Sequence, residues 1–272
     1  IQISASTSKG LYRGWTTLRL MIPVTAESGG CSKGFYLPVV SIDDSPEFEH
    51  RGLLLDCCRH FMEPDFVKKM IDNLSIHKMN VLHWHLTEDQ GWRVEIDSYP
   101  RLTEVGAWRN ETDGSTHGGY YSKETIQEII EYAAARQVEI IPEIEVPGHS
   151  QAAIASYPWL GCTGEELPVA NQWGVFKDIY CPGNDSTLRF LESVFDEVCE
   201  LFPSTKIHIG GDEVPKVRWA SCDKCQKRIK DEGLADENEL QTWVIEHVGE
   251  YLESKGKTII GWDEILEGGL PE

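Results

Sequence analysis

Lys206-Ile-His-Ile-Gly-Gly-Asp-Glu-Val-Pro215 is the stretch on which the reading of the fold turns. Its β-branched approach, Ile207-His208-Ile209, has the character of a short strand. Two glycines follow, Asp212 and Glu213 stand side by side, and Pro215 forbids further strand pairing. A strand therefore ends by presenting two carboxylates, and strand C-termini are where α/β barrels build their active sites. Taken alone, an Asp-Glu pair is equally an acidic turn or a helix N-terminus. The surrounding pattern decides between these.

Working outward, strands and helices alternate from Arg51 onward. Leu53–Asp56 reads as a strand and Asp65–Lys78 as an amphipathic helix, with Phe66, Met70, Ile71 and Leu74 on one side. Val81–Thr87 is a second strand and Ser122–Arg136 a second helix; Val138–Val146 and Ser186–Leu201 form the third pair. Lys206–Glu213 is followed by a helix over Asn238–Lys255, and Thr258–Trp262 closes the series as a fifth strand. Such alternation argues for parallel strands joined by crossover helices. The predicted fold class is α/β, a (β/α)8 TIM barrel with five βα units over residues 46–272. Residues 1–45 hold an alternating Ile1–Ser6, a helical pattern over Gly10–Pro23 and a linker rich in Ser, Gly and Pro. One strand and one helix make no core, so this segment reads as the remnant of a domain cut at its N-terminal side.

Polar residues gather at one end of all five strands. Asp56 leads to Arg59-His60; His83 and His85 lead to Thr87-Glu88-Asp89-Gln90; Glu143, Glu145 and His149 follow the third strand, Asp212-Glu213 the fourth, and Trp262-Asp263-Glu264 the fifth. The opposite ends are much poorer in such groups, which predicts a functional cleft. His83 and His85 are two apart and share a face, as in barrel metallohydrolases, or pack inside the barrel hydrogen-bonded. No lysine or further histidine stands where a binuclear site would need one, so neither metal nor cofactor is expected.

The formal charge of −20 disfavours nucleic acid as a partner, whereas a neutral ligand meets no such repulsion. Nine tryptophans among many carboxylates suit sugar recognition, since an indole covers the apolar face of a pyranose while carboxylates accept from its hydroxyls. No apolar run approaches the ~20 residues that span a bilayer. Among eight cysteines, Cys222-Asp-Lys-Cys225 has the spacing of half a zinc site. No second Cys-x-x-Cys or His-x-x-x-His accompanies it, so a local disulfide or two free thiols is the expectation.

Five motifs in order, Arg51-Gly-Leu-Leu-Leu-Asp-Cys-Cys-Arg-His60, His83-x-His-Leu-Thr-Glu-Asp-Gln-Gly-Trp-Arg93, Pro142-Glu-Ile-Glu-Val-Pro-Gly-His149, His208-Ile-Gly-Gly-Asp-Glu213 and Gly261-Trp-Asp-Glu-Ile265, resemble the β-N-acetylhexosaminidases of glycoside hydrolase family 20. The resemblance runs from about Ile42 onward, and residues 1–45 resemble the end of the small α+β domain that precedes the barrel in that family. It implies a retaining exo-glycosidase that removes terminal β-linked N-acetylglucosamine or N-acetylgalactosamine from glycans or chitooligosaccharides, using the substrate's own acetamido group as nucleophile. By this correspondence Glu213 is the acid/base, Asp212 holds the acetamido N–H, and His149 relays between Glu213 and Glu88. Arg59 forks sugar hydroxyls, Trp243 and Trp262 wall the acetamide pocket, and Glu145 contributes to substrate binding. Family members often carry Asp where Glu88 and Glu145 stand here. The resemblance implies a secreted, periplasmic or lysosomal setting, and homo-oligomerisation stays open. The family's Tyr-x-Asp and Trp-x-Glu of strands seven and eight do not occur before Glu272. A non-catalytic or partner-completed sugar-binding protein is thus the second reading, and a metal-dependent barrel hydrolase the third.

Overall fold

The computed structural model describes residues 1–30 and 34–269. Five parallel strands, Gly52–Asp56, Val81–His85, Glu139–Glu143, Lys206–His208 and Thr258–Ile260, form one sheet in sequential order. The connecting helices are Pro64–Ile76, Lys123–Ala134, Asp185–Leu201 and Glu237–Ser254. This is the strand order of a barrel rather than of a doubly wound sheet.

Local chemistry sets the helix boundaries. The Ser122 hydroxyl accepts from the Thr125 N–H and the Asn184 side chain from the Ser186 N–H. Asp236 accepts from the N–H groups of both Asn238 and Glu239. Each satisfies donors that the first helical turn leaves free. The longest buried stripe belongs to Asp185–Leu201, where Leu188, Phe190, Leu191, Val194, Phe195 and Val198 are buried at helical spacing. The core joins these to Trp84, Leu82, Ile140, Ile207 and Val244.

Register decides where the chemistry falls. Asp56 pairs with His85, His85 with Glu143, and Glu143 with His208, so four ionisable residues from four strands lie in one row. Every other candidate site residue except His83 and Trp243 follows that row in its own strand or the loop beyond it.

Two expectations are corrected. Ile1–Ser6 forms no strand, and no described strand pairs with it; alternation without a neighbouring edge leaves the backbone groups to solvent. The next segment does form a helix, Ser8–Leu20. Its Arg13 donates to the carbonyls of Met79 and Gln137, just before the second and third strands, so it docks at the N-terminal end of the sheet, away from the polar strand ends. The regular part of the fourth strand stops at His208 rather than continuing to Glu213. Gly210 and Gly211 have φ of 67° and 92°, which takes the chain out of the β region. Pairing nonetheless continues past the break, with Val146 donating to Ile209 and Trp262 to Gly210.

Candidate active site

The turn at Gly210-Gly211 aims the two carboxylates. Neighbouring residues on a regular strand point to opposite faces. Here Glu213 also has positive φ, 46°, and both acids end on one side. His149 Nε2 lies 3.6 Å from an oxygen of Asp212 and 3.6 Å from one of Glu213. Glycine is needed at position 210, because a Cβ there would sit 1.7 Å from Glu145 Oε2. At Gly211 it would sit 2.2 Å from a methyl of Ile265.

His149 is the hub. It too has a left-handed backbone, φ 47°, two residues after a cis Val146–Pro147 bond. Its Nδ1 pairs with Glu88 Oε1 at 2.8 Å and approaches Asp89 Oδ2 at 3.4 Å. Burial alone would lower the imidazole, but the surrounding carboxylates of Asp212, Asp89 and Glu88 outweigh it and push the ring well above the ordinary histidine range. Burial pushes the Asp89 carboxyl up to about 6 against the opposing pull of His149. Non-glycine residues with positive φ clustered at a site store strain that the surroundings must hold.

Arg59 closes one side. Its Nη1 is 3.2 Å from Asp56 and its Nη2 3.0 Å from Glu88, while the guanidinium lies over the exposed Trp173 ring at 5.0 Å. The Asp56 carboxylate also accepts from the backbone N–H of Cys58 and Arg59, which fixes the turn carrying the arginine. On the other side the Trp262 indole N–H donates to Glu143 Oε1 at 3.0 Å, and the residue remains 38% exposed.

Beneath this open cluster lies a closed one. Glu143, fully buried, sits 2.8 Å from His83 Nε2 and 2.9 Å from His208 Nδ1. Burial would raise its carboxyl, but His85, then His208 and His83, hold it far below the usual carboxylate range. His85 is pushed up to about 9: burial opposes its charge, and Glu143 and Glu145 override it. Same-face packing with carboxylate partners is thus the arrangement His83 and His85 adopt.

Of the residues singled out from the sequence, Asp212, Glu213, His149, Glu88, Arg59 and Trp262 come together. Two do not. Trp243, half-buried, stacks on His247 with ring centroids 5.6 Å apart and takes the Arg228 guanidinium over its ring, contacts that join it to the helices and not to the acids around His149. Glu145 is 3% exposed, 3.2 Å from His85 and against the Gly210 backbone; burial pushes its carboxyl well up. It supports the turn from below and does not face open space. Cys222 and Cys225 do not form the local disulfide that was one expectation. Two residues were missed. Asp89 was visible inside the Thr87-Glu88-Asp89 run, but Trp173 lies in an irregular loop whose sequence carries no periodic signal.

Acids and a histidine converge beyond the C-terminal ends of parallel strands, where α/β barrels carry their active sites. The sequence profile of the glycosyl hydrolase family 20 catalytic domain matches residues 48–272, and the chain belongs to that family. A β-hexosaminidase from Porphyromonas gingivalis is 49% identical over 99% of this chain, which spans 35% of that relative. The crystal structure of a β-N-acetylhexosaminidase from Bacteroides fragilis superposes with a TM-score of 0.82 at 41% identity, over 94% of this chain and 48% of that one. An exo β-N-acetylglucosaminidase from Vibrio harveyi, solved in complex with N-acetylglucosamine, gives a TM-score of 0.82 at 35% identity, over 96% of this chain and 42% of that one. The chain thus spans from about a third to half the length of these relatives.

Proposed function

We propose that the protein of which this chain is part is an exo-acting, retaining β-N-acetylhexosaminidase that removes terminal β-linked N-acetylglucosamine or N-acetylgalactosamine. The observation that carries this reading is the convergence of Asp212 and Glu213 on one edge of His149, made by left-handed backbone at Gly210, Gly211 and Glu213.

The two side chains differ in their surroundings. The Glu213 side chain is 50% exposed and free to reach a glycosidic oxygen, whereas Asp212 is 22% exposed and its Oδ1 is buried without a protein partner. A buried acceptor of that kind calls for a donor from the ligand. In this mechanism the acetamido N–H supplies it. Charge on Asp212 then favours the acetamido carbonyl oxygen as it attacks the anomeric carbon, while Glu213 protonates the leaving oxygen. The C1–O bond to the aglycone breaks and the oxazolinium ring forms. Glu213, now a carboxylate, takes a proton from water, which opens the ring at the anomeric carbon with net retention. His149 spans the acids Glu88 and Glu213 and fixes where that proton resides.

Arg59 retains guanidinium hydrogens for sugar hydroxyls, and the Trp262 face offers an apolar wall to the acetamide methyl. N-acetylhexosamine-terminated glycans or chitin fragments are the substrate class, and a secreted, periplasmic or lysosomal setting goes with it. Among the described residues no helix is long and apolar enough to cross a membrane.

The test is Glu213→Gln in the full-length protein with an aryl N-acetylglucosaminide. The expected loss of turnover is about 10²–10⁴-fold, as for removal of a general acid. Unchanged turnover in a folded variant refutes the assignment.

A further inference from the structure

Four cysteines meet outside the cleft. Cys162 and Cys181 come from the long loop after the third strand, Cys222 and Cys225 from the loop after the fourth. Sulfur separations are 3.8 Å for Cys162–Cys225, 3.8 Å for Cys181–Cys222 and 3.6 Å for Cys181–Cys225, and all four sulfurs lie within 4.8 Å of one another. All four are free thiols, and a disulfide would bring a pair to about 2.05 Å. A regular tetrahedron with zinc–sulfur bonds of about 2.3 Å has edges of about 3.8 Å. The measured separations match that edge.

We propose that Cys162, Cys181, Cys222 and Cys225 form a tetrahedral tetrathiolate site for a zinc ion that clasps the two loops together. The second pair of ligands, which the sequence does not offer as a second Cys-x-x-Cys, is assembled by a single antiparallel bridge, Gly161 to Tyr180, that sets Cys162 beside Cys181. The first pair comes from one helix end. Cys222 immediately precedes the helix Asp223–Glu232 and Cys225 lies in its first turn. Gly183 lets the two halves meet, since a Cβ there would stand 2.2–2.4 Å from backbone atoms of Lys224 and Cys225.

The setting suits a closed structural site. Cys181, Cys222 and Cys225 are buried, and Ile179, Val214, Trp219, Ile229 and Leu240 pack around them, a shell that keeps water from the sulfurs. An all-thiolate tetrahedral donor set selects zinc over the harder divalent ions, and four ligands leave no open position for chemistry. The clasp reaches the cleft through two short paths. Val214, in the shell, is the neighbour of Glu213. The Trp219 indole N–H donates to the Tyr180 carbonyl, and Tyr180 N–H donates to Pro147, two residues before His149. The site thus holds the loop of the proposed acid against the loop of its histidine. These four are positioning residues, not catalytic ones.

The test uses the full-length protein purified without chelator or a metal-affinity column. Elemental analysis is expected to find one zinc per chain, and the Cys222→Ser/Cys225→Ser double variant to lose it. Peptide mapping under non-reducing conditions is expected to find Cys162, Cys181, Cys222 and Cys225 all reduced. Because the variant can fail to fold, cobalt exchange into the unaltered protein is the second measurement: intense visible absorption from tetrahedral cobalt–thiolate coordination is expected. Zinc-free native protein, or a disulfide among these cysteines, overturns the proposal whatever becomes of the glycosidase reading.

Discussion

Two clusters of histidines and carboxylates lie one above the other at the same strand ends, yet their surroundings assign them different work. The lower one, Glu143 with His83, His85 and His208, is made by strand register and is closed: Glu143 is fully buried and its oxygens face imidazoles and an indole. The upper one, Asp212 and Glu213 with His149, Glu88 and Asp89, is made by turns; Glu213 is half-exposed and an Asp212 oxygen lacks a protein partner. The same residue types are thus closed off from solvent where register aligns them, while the turns carry the Glu213 side chain out into it.

This contrast can be broken most directly at Glu143. Glu143→Gln removes the one carboxylate shared by the buried imidazoles and is expected to cost about 3–5 kcal/mol of folding stability, as for breaking a buried ion pair. A urea melt within experimental error of the unaltered protein would show that the lower cluster is not a scaffold. Asp212→Asn is expected to do the reverse. Folding stability stays close to that of the parent while turnover of an aryl N-acetylglucosaminide falls by about 10²–10³-fold, the scale of losing one stabiliser of developing charge. Full activity would mean that the acetamide is oriented by another group.

The turn joining the clusters gives the next test. Gly210→Ala is expected to cost more than the roughly 1–2 kcal/mol of a left-handed backbone, because the new methyl meets Glu145. Gly256→Ala, at φ 74° with nothing within 4 Å, isolates the backbone contribution. Equal thermal shifts in the two variants would remove Glu145 from the account.

The smallest expected effect is in pH. His85 has a folded-state pKa of about 9, raised above its ordinary 6.5. Its stabilisation is therefore complete below about 6.5 and lost as pH rises through about 9. Thermal melts of unaltered protein from pH 6 to 10 are expected to fall across that window, and the fall is expected to flatten in His85→Gln. An unchanged slope in that variant would assign the alkaline loss elsewhere.

Much of this was legible in the chain. The period of Leu53–Asp56, Val81–His85 and the helices between them defined parallel α/β architecture, because burial of one helical stripe against a sheet leaves a repeat in the sequence. The motif around Asp212-Glu213 marked the candidate site, and its two glycines fall where the strand breaks, because glycine enters positive φ without steric cost. The contacts of Trp243 with His247 and Arg228 were not legible, because an aromatic on an amphipathic helix looks the same whether it faces a cleft or a neighbouring helix. Asp89 was hidden by its neighbour Glu88, since sequence adjacency does not say which acid turns toward His149.

The sequence by itself determined the order of strands and helices, the gathering of polar residues at one end, and the family, since all three are carried by local pattern and motif. Only the tertiary structure decided which acids are buried and which are open, that Asp212 and Glu213 share one histidine, and that four cysteines far apart in the chain converge on a volume the size of an ion. The physical reason is that register and loop closure are long-range properties. Asp56, His85, Glu143 and His208 form a row because parallel pairing aligns them. Cys162 meets Cys225 because one glycine lets two loops touch.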